Sequence, residues 1–150
     1  MVIKIDVKMG NLLSELNSIS SRLRNPERGL RKSAFIGLNA LLENFVYEGS
    51  GFPNRKRWQS LKPSTMKERA RKFGPNYASH PILTRTGKLR NSIRYKAKRN
   101  ILTYYTQVKY AQYHVTGTSK MPERNFMLLN QETIELLAEE IINWIFKREV

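Results

Sequence analysis

The residues in this sequence that could carry out acid–base or metal chemistry are few and widely spaced. Its two histidines are His80 and His114, and neither has a histidine or carboxylate partner at the spacing of a metal site. There is no cysteine, which excludes disulfides, thiolate metal sites and cysteine nucleophiles. General acid–base catalysis needs paired carboxylates or a partnered histidine. We therefore predict that the protein is not an enzyme and that it uses no metal or cofactor.

Positive charge is the chemistry that this sequence offers in quantity. The 150 residues hold 27 Lys and Arg against 12 Asp and Glu, a formal net charge of +15. Glu68 is the sole acidic residue between residues 53 and 122, so most of the excess charge lies in the middle of the chain. The last helical segment is acidic, with Glu132, Glu135, Glu139 and Glu140. This imbalance predicts a polyanionic neighbour, meaning nucleic acid, an acidic protein surface or an anionic membrane.

Residues 82–93 place cations and hydroxyl groups between apolar residues at each end. We expect Leu83, Leu89 and Ile93 to anchor this stretch to the core. Thr86 is expected to cap a helical turn, and Gly87 to permit a tight approach. The cations are expected to contact an assembly partner or a polyanion: Arg85, Lys88 and Arg90.

A second basic segment precedes this stretch. Trp58 and Leu61 are expected to anchor it to the core, because both are apolar residues within a polar loop. The cations just before them are assigned to the same partner or polyanion contact: Arg55, Lys56 and Arg57.

Apolar spacing predicts the elements that position these residues. Residues 2–8 alternate like a short strand, whereas residues 11–23 and 26–46 have helical spacing. Asn25 is the predicted N-cap of the second of these helices. A polar helix is predicted over residues 64–72, with Thr65 and Glu68 at capping-box spacing.

The C-terminal half predicts a hairpin and a final helix. Residues 93–97 and 102–110 alternate on either side of a turn at Arg99-Asn100. Residues 111–117 either extend the second strand or form a loop. Asn130 is the predicted N-cap of the last helix, whose apolar stripe runs to Ile145.

Together these elements predict an α+β fold. A small antiparallel sheet with an N-terminal hairpin packs against two or three helices, including a long central helix and a C-terminal helix. The length favours a single domain over residues 1–150, with a mobile basic loop region at 49–81. No secretory signal or apolar run of roughly 18 residues is present, so we expect a soluble intracellular protein without a membrane partner.

Non-specific nucleic-acid binding is an alternative that the residues themselves support. Cations alternate with aromatic residues such as Trp58, Phe73 and Tyr77, and these could neutralise phosphates and stack on bases. No RNP, KH, zinc-finger or helix-turn-helix pattern accompanies them. A membrane-surface helix is not favoured, because residues 65–72 lack a bulky apolar face.

The order of several landmarks resembles the phage virion morphogenesis family, also called the tail completion or tail-protein-S-like family. The resemblance covers residues 30–145. It rests on these segments in order: Trp58-Gln59-Ser60-Leu61, Ser64-Thr65, Ile82-Leu83, Thr86-Gly87-Lys88-Leu89-Arg90-Asn91-Ser92-Ile93, Tyr110-Ala111, Tyr113-His114, Gly117 and Arg124-Asn125-Phe126.

The resemblance implies a structural role in a phage or prophage particle. Such a protein completes the tail or neck and helps heads and tails to join. It implies other tail, neck or connector proteins as partners, a homo-oligomeric ring whose lumen could contact DNA, and a location in the virion or in the host cytoplasm during assembly. A ring needs two dissimilar surfaces that meet head to tail, and a basic middle and an acidic terminal helix would supply them.

Overall fold

Five helices and one hairpin make up the described part of the chain. The computed structural model describes residues 10–50, 57–78 and 81–147. Its helices are α1 (Gly10–Arg24), α2 (Glu27–Val46), α3 (Pro63–Phe73), α4 (Ala111–Thr116) and α5 (Gln131–Phe146). Strands β1 (Arg94–Lys98) and β2 (Ile101–Tyr105) pair antiparallel, and short 3₁₀ turns cover Pro75–Tyr77 and Arg90–Ser92. The predicted α+β class is confirmed.

The long central helix α2 packs against both α5 and the hairpin. At Gly29 an added Cβ would lie 2.5 Å from Cε3 of Trp144, so only glycine allows α5 to come this close. At Gly37 the same substitution would place a Cβ 2.2 Å from the hydroxyl of Tyr104 on β2. That hydroxyl donates a hydrogen bond of 2.8 Å to the carbonyl of Ala34. The two glycines therefore fix how closely α2 meets its neighbours.

The hairpin turns at Arg99-Asn100, as predicted, with Lys98 paired to Ile101 and a positive φ of 55° at Arg99. The predicted second strand is wrong beyond Tyr105. There the Thr106 hydroxyl accepts from the backbone N–H of Val108 and lies 2.6 Å from the Ser92 hydroxyl. These contacts bend the chain away from the sheet.

Residues 111–117 are neither a strand nor a loop, since Ala111–Thr116 forms helix α4. The helix is entered through a turn in which the Ala111 N–H donates to the Val108 carbonyl. A 2.7 Å hydrogen bond from the Arg124 N–H to the His114 carbonyl then holds it against the following segment. The strand therefore ends at Tyr105 although the alternation of apolar residues continues to Tyr110, and local hydrogen bonds shape the chain beyond it.

Of the caps predicted for α2, α3 and α5, only that of α5 is present. Asn130 caps α5, because its side-chain oxygen accepts from the Thr133 N–H at 2.8 Å. Asn25 does not cap α2, which follows Pro26 without a side-chain cap. Thr65 does not cap α3 either, because Pro63 occupies the first turn and starts the helix earlier.

The core lies where α2 meets the segments on either side of α3. Its buried residues form one cluster: Leu41, Phe45, Trp58, Ile82, Leu89, Ile93, Ala111 and Phe126. The Phe45 ring packs edge-on against Trp58 and tilted against Phe126, with ring centroids 6.1 and 5.1 Å apart. The side-chain amide of Asn44 donates to the carbonyls of Phe126 and Leu128, so α2 is also hydrogen-bonded to the segment before α5.

Helix α1 forms as predicted, but its apolar stripe is not buried. The side chains of Leu12, Leu13, Leu16 and Leu23 are all exposed. The helix contacts α5 instead through the guanidinium of Arg22, which donates to the carbonyls of Trp144 and Ile145 at the end of α5.

Two predictions concern residues that the structure does not describe. The predicted strand at residues 2–8, and with it an N-terminal hairpin, lies outside the described residues; the hairpin that the structure shows spans residues 94–105. Within the region 49–81, residues 51–56 and 79–80 lie outside them as well. The remainder of that region contains α3 and the buried Trp58, and its mobility stays a prediction.

Candidate functional site: a basic pocket beside helix α3

A pocket of about 370 Å³ lies between α3, the 82–93 stretch and the start of α4. We call it the Arg69 pocket. Its wall combines apolar side chains with cations and hydroxyl groups: Leu61, Thr65, Glu68, Arg69, Leu83, Arg85, Thr86, Leu89, Tyr110 and His114.

Arg69 is the unusual member of this wall, because it is a buried cation that forms no ion pair with any residue that the structure describes. Its side chain is 5% exposed, and neither Nε nor Nη2 has a hydrogen-bond partner in the described part of the chain. Burial, and next the like charge of Arg85, lower the pKa of Arg69, while Glu48 acts in the opposite direction. The adjacent Glu68 does not neutralise Arg69, because its carboxylate pairs with Lys72 at 2.6 Å.

Arg85 brings a second guanidinium to the same pocket. Its side chain is exposed, and its Cζ lies 5.9 Å from the centroid of the Phe73 ring at the end of α3. This cation–π contact orients the side chain without removing its charge. Two guanidinium groups therefore face one cavity, one buried and one at its edge.

His114 and Tyr110 close the pocket from α4. Their rings are perpendicular, with centroids 5.9 Å apart. Nδ1 of His114 is buried, and no described residue forms a hydrogen bond with it. Burial, and then the charge of Arg124, lower the pKa of His114 below its ordinary value of 6.5, so the imidazole is neutral at pH 7. It can offer a hydrogen bond but no positive charge at that pH.

The local turn in the 82–93 stretch presents Thr86. The Thr86 hydroxyl accepts from the Lys88 N–H at 3.4 Å, and Gly87 has a φ of +68°, a conformation that favours glycine. The Asn91 N–H then donates to the Gly87 carbonyl at 2.8 Å. This sequence of bonds turns the chain so that Leu89 enters the core while Thr86 stays at the pocket.

Glu48 ties the two basic segments together behind the pocket. One carboxylate oxygen accepts from the Arg57 guanidinium at 2.5 and 2.7 Å, and the other accepts from the Ile82 N–H at 2.9 Å. The Glu48 carbonyl also accepts from the Trp58 N–H. Arg57, predicted as a partner contact, is therefore engaged within the chain, although its side chain remains 70% exposed.

Arg124 shows what a satisfied buried guanidinium looks like in this fold. It is 5% exposed, as Arg69 is, but its Nε and Nη2 donate to the Gln59 carbonyl and its Nη2 also approaches the Ser60 carbonyl. These bonds hold the segment before α3 in place. The contrast identifies Arg69 as the arginine with spare hydrogen-bonding capacity.

The structure brings together some of the residues that the sequence singled out. Five of them line the Arg69 pocket: Leu61, Leu83, Arg85, Thr86 and Leu89. Trp58 and Ile93 are buried in the core instead. Lys88 and Arg90 are exposed and lie outside the pocket wall, whereas Arg55 and Lys56 lie outside the described residues.

Sequence reasoning missed Arg69, Tyr110 and His114 as pocket residues. The polar sequence of helix α3 gives no indication that one of its cations is buried. The available signal was the spacing of Thr65, Arg69 and Phe73, which places them on one helix face. Tyr110 and His114 are likewise four residues apart, but only once residues 111–116 are known to be helical do they face the same way.

A second charged surface lies on α5. Glu132, Glu135 and Glu139 are exposed and stand at spacings that place them on one face. None of them pairs with a cation of the described residues, while Glu140 pairs with Lys32 at 2.9 Å. Leu136 and Ile142 are 48% and 46% exposed beside them. We call Glu132, Glu135, Leu136, Glu139 and Ile142 the α5 acidic face.

Within the described ranges, no group of three or more His, Asp or Glu side chains is placed to hold a metal ion. None of the helices in those ranges is both long and apolar enough to cross a bilayer. No protein-family model, no curated protein and no solved structure matches the chain.

Proposed function

We propose that this chain is a non-enzymatic structural protein of phage or prophage morphogenesis. It completes the tail or neck and helps head–tail joining by assembling with copies of itself and with other tail, neck or connector proteins. It acts in the virion, or in the host cytoplasm during assembly. The order of landmarks from Trp58 to Phe126 supports this family. The assignment to a phage or prophage particle rests on that sequence resemblance.

The observation that carries the proposal is a pair of dissimilar, complementary surfaces on one small domain. The Arg69 pocket combines apolar walls with unneutralised cations, and the α5 acidic face combines glutamates with exposed apolar side chains. Surfaces of this kind meet heterologously, and such contacts close into rings or extend into filaments. The pocket also lacks a second carboxylate that could work with Glu68, so it is poorly equipped for acid–base catalysis.

Deleting the gene from its phage or prophage tests this function. We expect tailless heads and separate tails to accumulate, as seen by electron microscopy, and complementation with the intact gene to restore infectious particles. Normal particles in the deletion strain would contradict the proposal.

Non-specific nucleic-acid binding remains a second candidate because of one feature of the hairpin. The outward face of β1 presents three exposed cations in a row, Arg94, Lys96 and Lys98. Such a row could follow a phosphate backbone. Binding of duplex and single-stranded DNA should then weaken steeply with salt and fall further in the Lys96→Glu/Lys98→Glu variant. Absence of DNA binding at low salt would remove this candidate.

A further inference from the structure

We propose that the Arg69 pocket is a receptor for a protein carboxylate, and that the carboxylate comes from the α5 acidic face of a second copy of this chain. The residues of the pocket account by themselves for its affinity for a carboxylate. The identity of its occupant rests on the proposed assembly function.

The hydrogen bonding of the Arg69 guanidinium is incomplete. A buried charge is costly unless it is paired and hydrogen-bonded, yet Nε and Nη2 of Arg69 have no partner. Burial, and next the repulsion from the nearby charge of Arg85, lower the pKa of Arg69. An anion held between the two guanidinium groups would relieve both costs at once.

The hydrogen-bond donors of the pocket match a carboxylate. A guanidinium presents donors in a planar fork that matches the two oxygens of a carboxylate. The hydroxyls of Thr65 and Thr86 line the same pocket and can donate as well. His114 is neutral at pH 7, so it adds a polar group to the pocket wall and no further positive charge.

The apolar walls of the pocket and the burial of Arg69 favour a protein carboxylate over a nucleic-acid phosphate. Leu61, Leu83 and Leu89 form apolar walls, which suit apolar residues flanking an acidic one. A duplex phosphate stays at the level of its sugar-phosphate backbone, whereas Arg69 is only 5% exposed. A glutamate on a flexible side chain can extend inward from a helix to reach such a group.

The α5 acidic face of a second copy is complementary to the Arg69 pocket. Glu132, Glu135 and Glu139 are exposed, without an ion pair to any cation of the described residues, and flanked by the exposed Leu136 and Ile142. This surface offers both the carboxylates and the apolar side chains that the pocket lacks. Because the pocket and the α5 acidic face are different surfaces, each copy can receive one neighbour and be received by another.

The first experiment uses Arg69→Met, which removes the buried charge but keeps an unbranched apolar side chain. We expect two opposite effects: a higher unfolding midpoint for the dilute monomer, and self-association weaker by roughly tenfold or more in sedimentation velocity. Arg124→Met is the matched control, because Arg124 is equally buried but hydrogen-bonded. It should lower the unfolding midpoint. A lower midpoint in Arg69→Met with unchanged association would show a purely structural role and overturn the proposal.

The second experiment mixes two full-length variants. Arg69→Met/Arg85→Glu spoils the pocket and keeps the α5 acidic face, whereas Glu132→Lys/Glu135→Lys/Glu139→Lys does the reverse. We expect each variant alone to be monomeric and an equimolar mixture to form dimers that grow no further. Circular dichroism checks that both variants are folded, and Arg85→Glu alone, at an exposed site, gives a pocket variant without a core change.

Two further results would overturn the inference. One is a wild-type protein that stays monomeric at high concentration and low salt. The other is a DNA affinity that falls in Arg69→Met while the two variants fail to associate, which would make the pocket a phosphate site. The deletion phenotype is read separately: dimers from the mixture together with normal particles from the deletion strain would remove the morphogenesis function and keep the carboxylate receptor.

Discussion

At the scale of single residues, Asn44 joins the central helix to the segment that precedes α5. Its side chain is buried, and its amide donates to the carbonyls of Phe126 and Leu128 at 3.0 and 2.9 Å. Asn44→Ala would remove these donors from the buried Phe126 carbonyl and from the partly buried Leu128 carbonyl. We expect a loss of about 2–4 kcal/mol in the free energy of unfolding, measured by urea denaturation.

The control for this change is Asn39→Ala, an exposed position on the same helix. It should alter the free energy of unfolding by less than about 0.5 kcal/mol. Equal effects of the two substitutions would contradict the role assigned to the Asn44 amide.

Tyr104 should make the free energy of unfolding fall at alkaline pH. Burial, and then the neighbouring Tyr95, raise the pKa of Tyr104 to about 12, from an ordinary value of 10. The unfolded chain thus loses this proton near pH 10 while the folded chain keeps it. Stability from this group is complete below pH 10 and is lost as the pH rises towards 12. Between pH 9 and pH 11 the loss should be about 1 kcal/mol.

Tyr104→Phe isolates that effect, because phenylalanine does not titrate. The variant should be less stable than the wild type at neutral pH by about 1 kcal/mol, since the hydrogen bond to the Ala34 carbonyl is gone. The difference should shrink above pH 10. Parallel stability curves for the two proteins up to pH 11 would show that Tyr104 is not the titrating group.

At the scale of elements, the two asparagines that precede helices α2 and α5 behave differently. Asn130 caps α5 through its side chain, whereas α2 has no side-chain cap. Asn130→Ala should therefore lower the free energy of unfolding by about 1 kcal/mol, and Asn130→Asp should retain it because the carboxylate is still an acceptor. Asn25→Ala should change it by less than about 0.5 kcal/mol. Thermal melts of the three variants provide the comparison.

Element by element, the sequence predicts what its local pattern controls. Periodicity located α1, α2 and α5, and alternation around Arg99-Asn100 located the hairpin. It did not locate α4, because the alternation of residues 102–110 continues past the point where β1 has no residue left to pair. Periodicity also did not establish burial: the apolar stripe of α1 is exposed, and Ile134 in the apolar stripe of α5 is 47% exposed.

The candidate site was predictable to the same extent. The apolar anchors Leu83 and Leu89 were evident, since leucines in a polar stretch need somewhere to pack. Arg69 was not, because the burial of a cation follows from how α3 docks on the 82–93 stretch and not from its own neighbours in sequence. A sequence shows where charge is present, whereas the fold decides which charge is left without a partner.

At the scale of the whole molecule, charge is separated between the basic middle of the chain and α5. Self-association through these surfaces should weaken as salt is raised from about 50 to about 500 mM, because exposed charges are screened over a few ångströms at high salt. Exposed Arg85 should account for most of this dependence and buried Arg69 for little of it. Dissociation constants from sedimentation at several salt concentrations test this expectation.

The matched variants are Arg85→Ala, which should flatten the salt dependence, and Lys96→Ala, which should leave it unchanged. Lys96 is an equally exposed cation, but it lies on β1 outside the pocket wall. A flattened dependence in Lys96→Ala would mean that total charge, and not the pocket, controls association.

The Arg69 guanidinium, whose Nε and Nη2 have no partner among the described residues, also affects how this sequence can evolve. Selection for folding alone favours apolar residues at a buried position, and most proteins can gain stability wherever function does not oppose it. A library screened only for thermal resistance should therefore replace Arg69 early, while one screened for self-association should retain it. Position 69 is then a point at which the two kinds of selection pull the chain in opposite directions.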